Sequence, residues 1–250
     1  MSALKPPTSI PVSRRALVGG LAATSLAISS CAPSGLYRYR LTAKARTPDG
    51  VVEASGVRSF QVKDQVVKII DTIDDIARGE AIIVDLGQAG VLFVSLYGWH
   101  ANESPQMSDW IPGEDWGPSL ALARANPAVD QSNPFLDVPR VVKAEDPPVE
   151  LLRPEIPILL RFRDLNDPAT IEFVNPENLA ETFGPNVELV SVVAQVTDDV
   201  ITSGQTERRL PWIDAFIENK QWFSINMAPK YNPNGYGPMH LDPHCLSNSR

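Results

Sequence analysis

The sequence predicts a mainly β protein: an antiparallel sandwich or sheet with a few short helices and a long insert rich in proline and tryptophan. Three observations lead there. Residues 37–46 alternate Tyr, Leu and Ala with Arg, Thr and Lys, the period-two pattern of a strand. Short apolar runs recur between clusters of Gly, Pro, Asn and Asp. The 250 residues include 23 prolines, well above the usual share of about 5%, which leaves little room for long helices.

Composition bounds the rest. A chain that is 43% hydrophobic and 21% charged is not a disordered tail, a collagen-like fibre or a polytopic membrane protein. Its length suits one large β-rich domain or two small ones with a real core. Two cysteines cannot make a disulfide scaffold. A formal net charge of −8 argues against nucleic-acid binding by a basic surface.

Residues 1–30 read as a signal peptide. They hold Lys5, Arg14 and Arg15 and no acid, and residues 16–30 carry no charge. A fifteen-residue helix reaches roughly 22 Å, short of the roughly 30 Å hydrocarbon core, so an export signal is favoured over a permanent span. Ser13-Arg14-Arg15-Ala16-Leu17-Val18 resembles the twin-arginine export motif. Ile28-Ser29-Ser30-Cys31 resembles a lipobox. That resemblance implies lipidation of Cys31, which becomes the mature N-terminus; the alternative is ordinary cleavage with Cys31 left free. Ala32 follows and no Asp holds the chain at the inner membrane, which favours the outer membrane. The mature chain has 19 Lys and Arg against 30 Asp and Glu, a net −11. Anionic headgroups repel such a body, so attachment is expected from the acyl chains.

A short tether, residues 31–35, leads into a single β-rich domain over 36–227. In the first strand Tyr37, Tyr39, Leu41, Ala43 and Ala45 face one way; Arg38, Arg40, Thr42, Lys44 and Arg46 face the other. Pro48-Asp49-Gly50 turns the chain into a second strand. There Val52, Ala54, Gly56, Phe60 and Val62 are apolar and Glu53, Ser55, Ser59, Gln61 and Lys63 polar, with Glu53 opposite Lys44 or Arg46. The basic stripe reads as a solvated strand face in preference to an anion site. Residues 65–77 fit helical spacing, yet their β-branched residues favour a strand. Residues 81–86 and 91–96 read as a hairpin covered on both faces.

Residues 99–157 form the insert, with ten of the prolines and with Trp99, Trp110 and Trp116. Only 118–125 reads as helix there. Strands follow at 158–162, 170–174 and 187–196. Asn175-Pro176-Glu177 starts a helix that Gly184 ends. Residues 206–209 read as a polar loop, 211–219 as a short helix, and 228–250 as an irregular tail.

The blocks at 37–42 (YRYRLT), 78–87 (RGEAIIVDLG), 160–199 and 210–212 (LPW) resemble a family of uncharacterised exported bacterial proteins. The resemblance implies one coherent exported domain and supplies no functional residue.

Chemistry is sparse. His240, His244 and Cys245 form a cluster, but Pro243 breaks the helix that would align two imidazoles, so no metal site is expected. Asp164 and Asp167 lack the glycine and distal glutamate of a calcium loop, and Asp198-Asp199 reads as an ordinary strand-end pair. There is no nucleophile elbow, P-loop or dinucleotide fingerprint, and no cofactor is expected. Trp99, Trp110 and Trp116 form the candidate binding surface, either for recognition or as a plug on the β-domain. Glu103, Asp109, Glu114 and Asp115 surround them, so the expected partner is a protein or a neutral or cationic ligand. Two functions follow: a lipid-anchored envelope protein, binding or structural and not catalytic, on the periplasmic side; or an exported hydrolase with a cleft at this insert near His100.

Overall fold

The alternation of residues 37–46 becomes the centre of a sheet. In the computed structural model, which describes residues 34–63, 74–101, 110–114, 116–225 and 238–248, the chain begins with the hairpin β1 (Ser34–Thr47) and β2 (Gly50–Lys63). Then come β3 (Asp74–Glu80), β4 (Ile82–Asp85), β5 (Val91–Val94), β6 (Tyr97–Ala101) and β7 (Trp110–Glu114). Helices α1 (Gly117–Ala125) and α2 (Pro134–Val141) precede β8 (Val149–Glu150), β9 (Leu159–Phe162) and β10 (Ile171–Val174). The rest is α3 (Ala180–Phe183), β11 (Glu188–Val196), α4 (Gln205–Arg209), α5 (Ile213–Glu218), β12 (Phe223–Ile225), β13 (Met239–Leu241) and β14 (Ser247–Asn248). Residues Ala32–Arg250 form one unit. Residues 1–30, which the sequence reads as an export signal, Cys31 and residues 64–73 lie outside the described residues.

The fold is mainly β and antiparallel, as the periodicity requires. A six-stranded sheet runs β14-β3-β2-β1-β11-β8, and a four-stranded sheet runs β10-β9-β5-β4. The hairpin register sets Lys44 opposite Glu53, and their side chains pair at 2.9 Å. Tyr39, Leu41 and Phe60 are at most 1% exposed, while Arg38 and Arg40 lie on the outer face. Period two thus fixes which face enters the core.

The smaller sheet is buried on both sides. Ile82, Val84, Leu92, Val94 and Leu159 join the inner face of the large sheet and helices α1 and α2 in one core. Phe93, Leu160, Phe162 and Ile171 face the opposite way, into a second core with Ile213, Phe223, Leu241, Cys245 and Leu246. Double cover explains why residues 81–96 show little alternation.

Three segments are more ordered than their sequence implies. Within 99–157, β6 pairs with β7 and α2 forms despite Pro139. A proline there removes one hydrogen bond and pushes away the carbonyl of Phe135. Gly35 of β1 accommodates both, since a Cβ on it would lie 2.9 Å from the Phe135 oxygen and 2.9 Å from Pro139. Residues 205–209 form α4 in place of a loop. The helix ended by Gly184 begins only at Ala180, because Asn175 Oδ1 accepts from the Glu177 amide and closes a turn first. Residues 238–248 are not an irregular tail: β14 pairs with β3, and Leu241, Cys245 and Leu246 are at most 1% exposed. The Ala81 amide donates to Leu246 O at 2.9 Å, and the Leu96 amide to Cys245 O at 2.7 Å.

Candidate ligand cleft

Strand register builds a row of polar side chains on the outer face of the large sheet. Arg38 of β1 is paired with Ser59 of β2, and Ser59 with Arg78 of β3. Direct partners across antiparallel strands share a face, so the three stand side by side. They floor a cleft of about 770 Å³. On the β11 side the Thr197 amide donates to Arg38 O at 3.0 Å and brings Asp198 to the rim. The facing wall is the loop that leaves α2, with Lys143 and Glu145. That loop is held against β11 by Gln195 Nε2, which donates to Ala144 O at 3.3 Å and to Asp146 O at 3.2 Å.

Charge pairing distinguishes the cleft from the rest of the basic stripe. Arg40 pairs with Asp199 at 2.6 Å, Lys44 with Glu53 and Arg46 with Glu188. The Arg40 hydrogen bond, aided by Thr197, holds the Asp199 carboxyl below its ordinary value. Among the described residues Arg38 and Arg78 have no ion pair and no side-chain hydrogen bond, although both line the cleft. Lys143 is committed, donating to Arg140 O at 2.7 Å. Ser59, between Arg38 and Arg78 in the strand register, is 4% exposed. Of the four β1 cations, three are thus ion-paired on the outer face and Arg38 lines the cleft.

A second polar constellation is internal. Arg58 is fully buried; its Nε donates to Glu80 O at 3.1 Å and its Nη2 to Val94 O at 2.6 Å, joining the two sheets. The Glu80 carboxylate, 2% exposed, accepts from the backbone amides of Gly204, Gln205 (2.8 Å) and Thr206 (3.4 Å). It also shares a hydrogen bond with the Glu207 carboxyl, which accepts from Ser247 Oγ at 2.8 Å. Burial first, then the Glu207 carboxyl, raises the Glu80 pKa against the lowering effect of the amides. Sequence reasoning missed this group. Arg58 has the parity of the apolar face of β2, which was a usable signal; Glu80 has none, because its partners lie more than a hundred residues away.

The residues singled out from sequence fall in separate places. Trp116 is half-buried, its ring 5.3 Å from Phe135 at the edge of the core. The side chains of Trp99, Trp110 and His100 lie outside the described residues, as do those of Glu103, Asp109, Glu114 and Asp115. Arg14, Arg15 and Cys31 lie outside them too. His240 and His244 are exposed, and His244 Nδ1 meets Asp242 Oδ1 at 2.7 Å. Cys245 is fully buried and not disulfide-bonded, and desolvation pushes its thiol well above the ordinary value, so it packs as a small apolar residue. Asp164 and Asp167 accept from local backbone amides at 2.9 Å and shape a turn. Among the described residues no group of three or more His, Cys, Asp or Glu is placed to hold a metal, and no helix is long and apolar enough to cross a membrane. No family model, no curated protein and no solved structure matches the chain.

Proposed function

We propose that this is an exported, lipid-anchored envelope protein with a binding role and no catalytic one, and that it binds an anionic group in the Arg38–Ser59–Arg78 cleft. The two uncommitted guanidiniums carry this reading. A guanidinium fork matches carboxylate and phosphate geometry, and two forks on one floor concentrate that preference. The cavity volume lies within the usual range for small-molecule sites, about 300–1,000 Å³. Ser59 supports binding over nucleophilic chemistry. Among the described residues its hydroxyl makes no hydrogen bond to a base, which an activated serine needs.

Thermal melts of the purified protein with inorganic phosphate and with N-acetyl-trialanine test the reading. At a hundred times Kd a bound anion adds about 2.7 kcal/mol, a rise of ~5–10 °C in Tm for a domain of this size. The rise should vanish in Arg38→Gln/Arg78→Gln. No shift with either anion, or a shift retained in the double variant, overturns the proposal. Anchoring has its own test: Cys31→Ser should move the protein from the membrane to the soluble fraction, and retention at unchanged mass refutes it.

A further inference from the structure

Resting on that reading, we propose that the ligand is a short peptide with both termini free. Its carboxylate is clamped by Arg38 and Arg78, and its ammonium is held by Asp198 and Glu145. The cleft is polarised across the sheet. Arg78 stands on β3 and Arg38 on β1, with Ser59 of β2 between them. Asp198 follows β11, and Glu145 lies in the loop that Gln195 ties to β11. The two guanidiniums therefore span β3 to β1, and the carboxylates lie beyond them at β11, beside a Lys143 that donates to Arg140 O.

These opposite charges share one cavity without forming a salt bridge to each other, although Arg38 also acts electrostatically on Asp199. Among the described residues Arg38, Arg78, Glu145 and Asp198 form no ion pair, although the neighbouring Arg40 and Asp199 do at 2.6 Å. A simple anion would satisfy only the β3 end and would meet the two carboxylates. A simple cation would meet the two guanidiniums. A ligand that carries a negative and a positive end satisfies both.

Strand spacing sets its length. The midpoint of the two guanidinium-bearing strands is β2, two strands from β11. At about 4.8 Å per strand the charged ends of the ligand must lie about 10 Å apart. An extended chain at roughly 3.3–3.6 Å per residue covers that with about three residues. Leu36 and Ile201 in the cleft offer apolar contact to the side chains in between.

Calorimetric titration with trialanine, N-acetyl-trialanine and trialanine amide decides the matter. The acetylated peptide keeps only the carboxylate and the amide only the ammonium. Trialanine should bind at least tenfold more tightly than either. Glu145→Gln/Asp198→Asn should bring trialanine down to the affinity of N-acetyl-trialanine, whose own binding is not weakened; both substituted side chains are exposed, and an unaltered Tm confirms the fold. Equal binding of trialanine and N-acetyl-trialanine overturns the peptide proposal and leaves the anion reading standing. So does tight trialanine binding that the acid variants fail to weaken. If no probe binds, both proposals fall.

Discussion

Glu80 offers the sharpest test of the internal network. Cutting it to Ala removes the acceptor for three backbone amides at the start of α4. Thr206 is fully buried, so its amide is left without water, at about 1–3 kcal/mol. Gly204 and Gln205 are partly exposed, and losing the cap on their end of the helix adds about 0.5–2 kcal/mol. Together Glu80→Ala should cost ~1.5–5 kcal/mol, its upper end in line with breaking a buried charged group. At about 2–4 °C per kcal/mol, Tm should fall by ~3–20 °C. Glu80→Gln should behave differently, since its carbonyl still accepts from the amides and its NH₂ donates to Glu207. Because the folded state raises the Glu80 pKa, it binds that proton more tightly than the unfolded chain does. The stabilisation is full below the ordinary value of 4.5 and is lost as pH rises through the folded one. The Gln variant cannot lose it, so its stability relative to the native chain should grow with rising pH over that window. Denaturant unfolding at a series of pH values measures both effects. A cost below about 1 kcal/mol for Ala, or a Gln-minus-native difference that does not change with pH, refutes the reasoning.

Two further substitutions probe the packing. Gly117→Ala should cost about 3 kcal/mol or more, because its Cβ would run into the Glu155 carbonyl, which is backbone and cannot swing away; an unchanged melting temperature would show that α1 can shift outward. Trp116→Ala should cost ~2 kcal/mol, less than the 3–5 kcal/mol of a fully buried ring, since Trp116 is half-buried against Phe135. A neutral substitution there would mean the ring is not a plug and would return it to recognition.

What was legible in the sequence is what depends on local period. The β1–β2 hairpin, its register and the doubly covered 81–96 hairpin follow from alternation or its absence. What was illegible depends on distant partners. The α4 sequence QTERR has no capping residue of its own, because Glu80 supplies the acceptor from β3. The 238–248 segment carries two prolines and no apolar period, yet its main chain pairs with β3 and its side chains complete a core. The cleft was half-visible. Arg38 was one cation of a stripe read as a solvated face, and only the register that sets Arg78 across from Ser59 makes a pair of guanidiniums. Nothing along the chain links residues 38 and 78.

The docking of residues 241–247 also governs timing. Ala81 and Leu96 wait for backbone partners at Leu246 and Cys245, which are made about 150 residues after Leu96. At about 5–20 residues per second, ribosomal synthesis leaves that interval open for ~8–30 s. Throughout it the strand 91–94 has one apolar side without part of its lid, so the nascent chain exposes that side until residues 241–247 are made. The native state is thus reached after translation of this segment and not during it. Any fusion that arrests the ribosome before residue 241 should yield a chain that is sticky, protease-sensitive and unable to melt cooperatively.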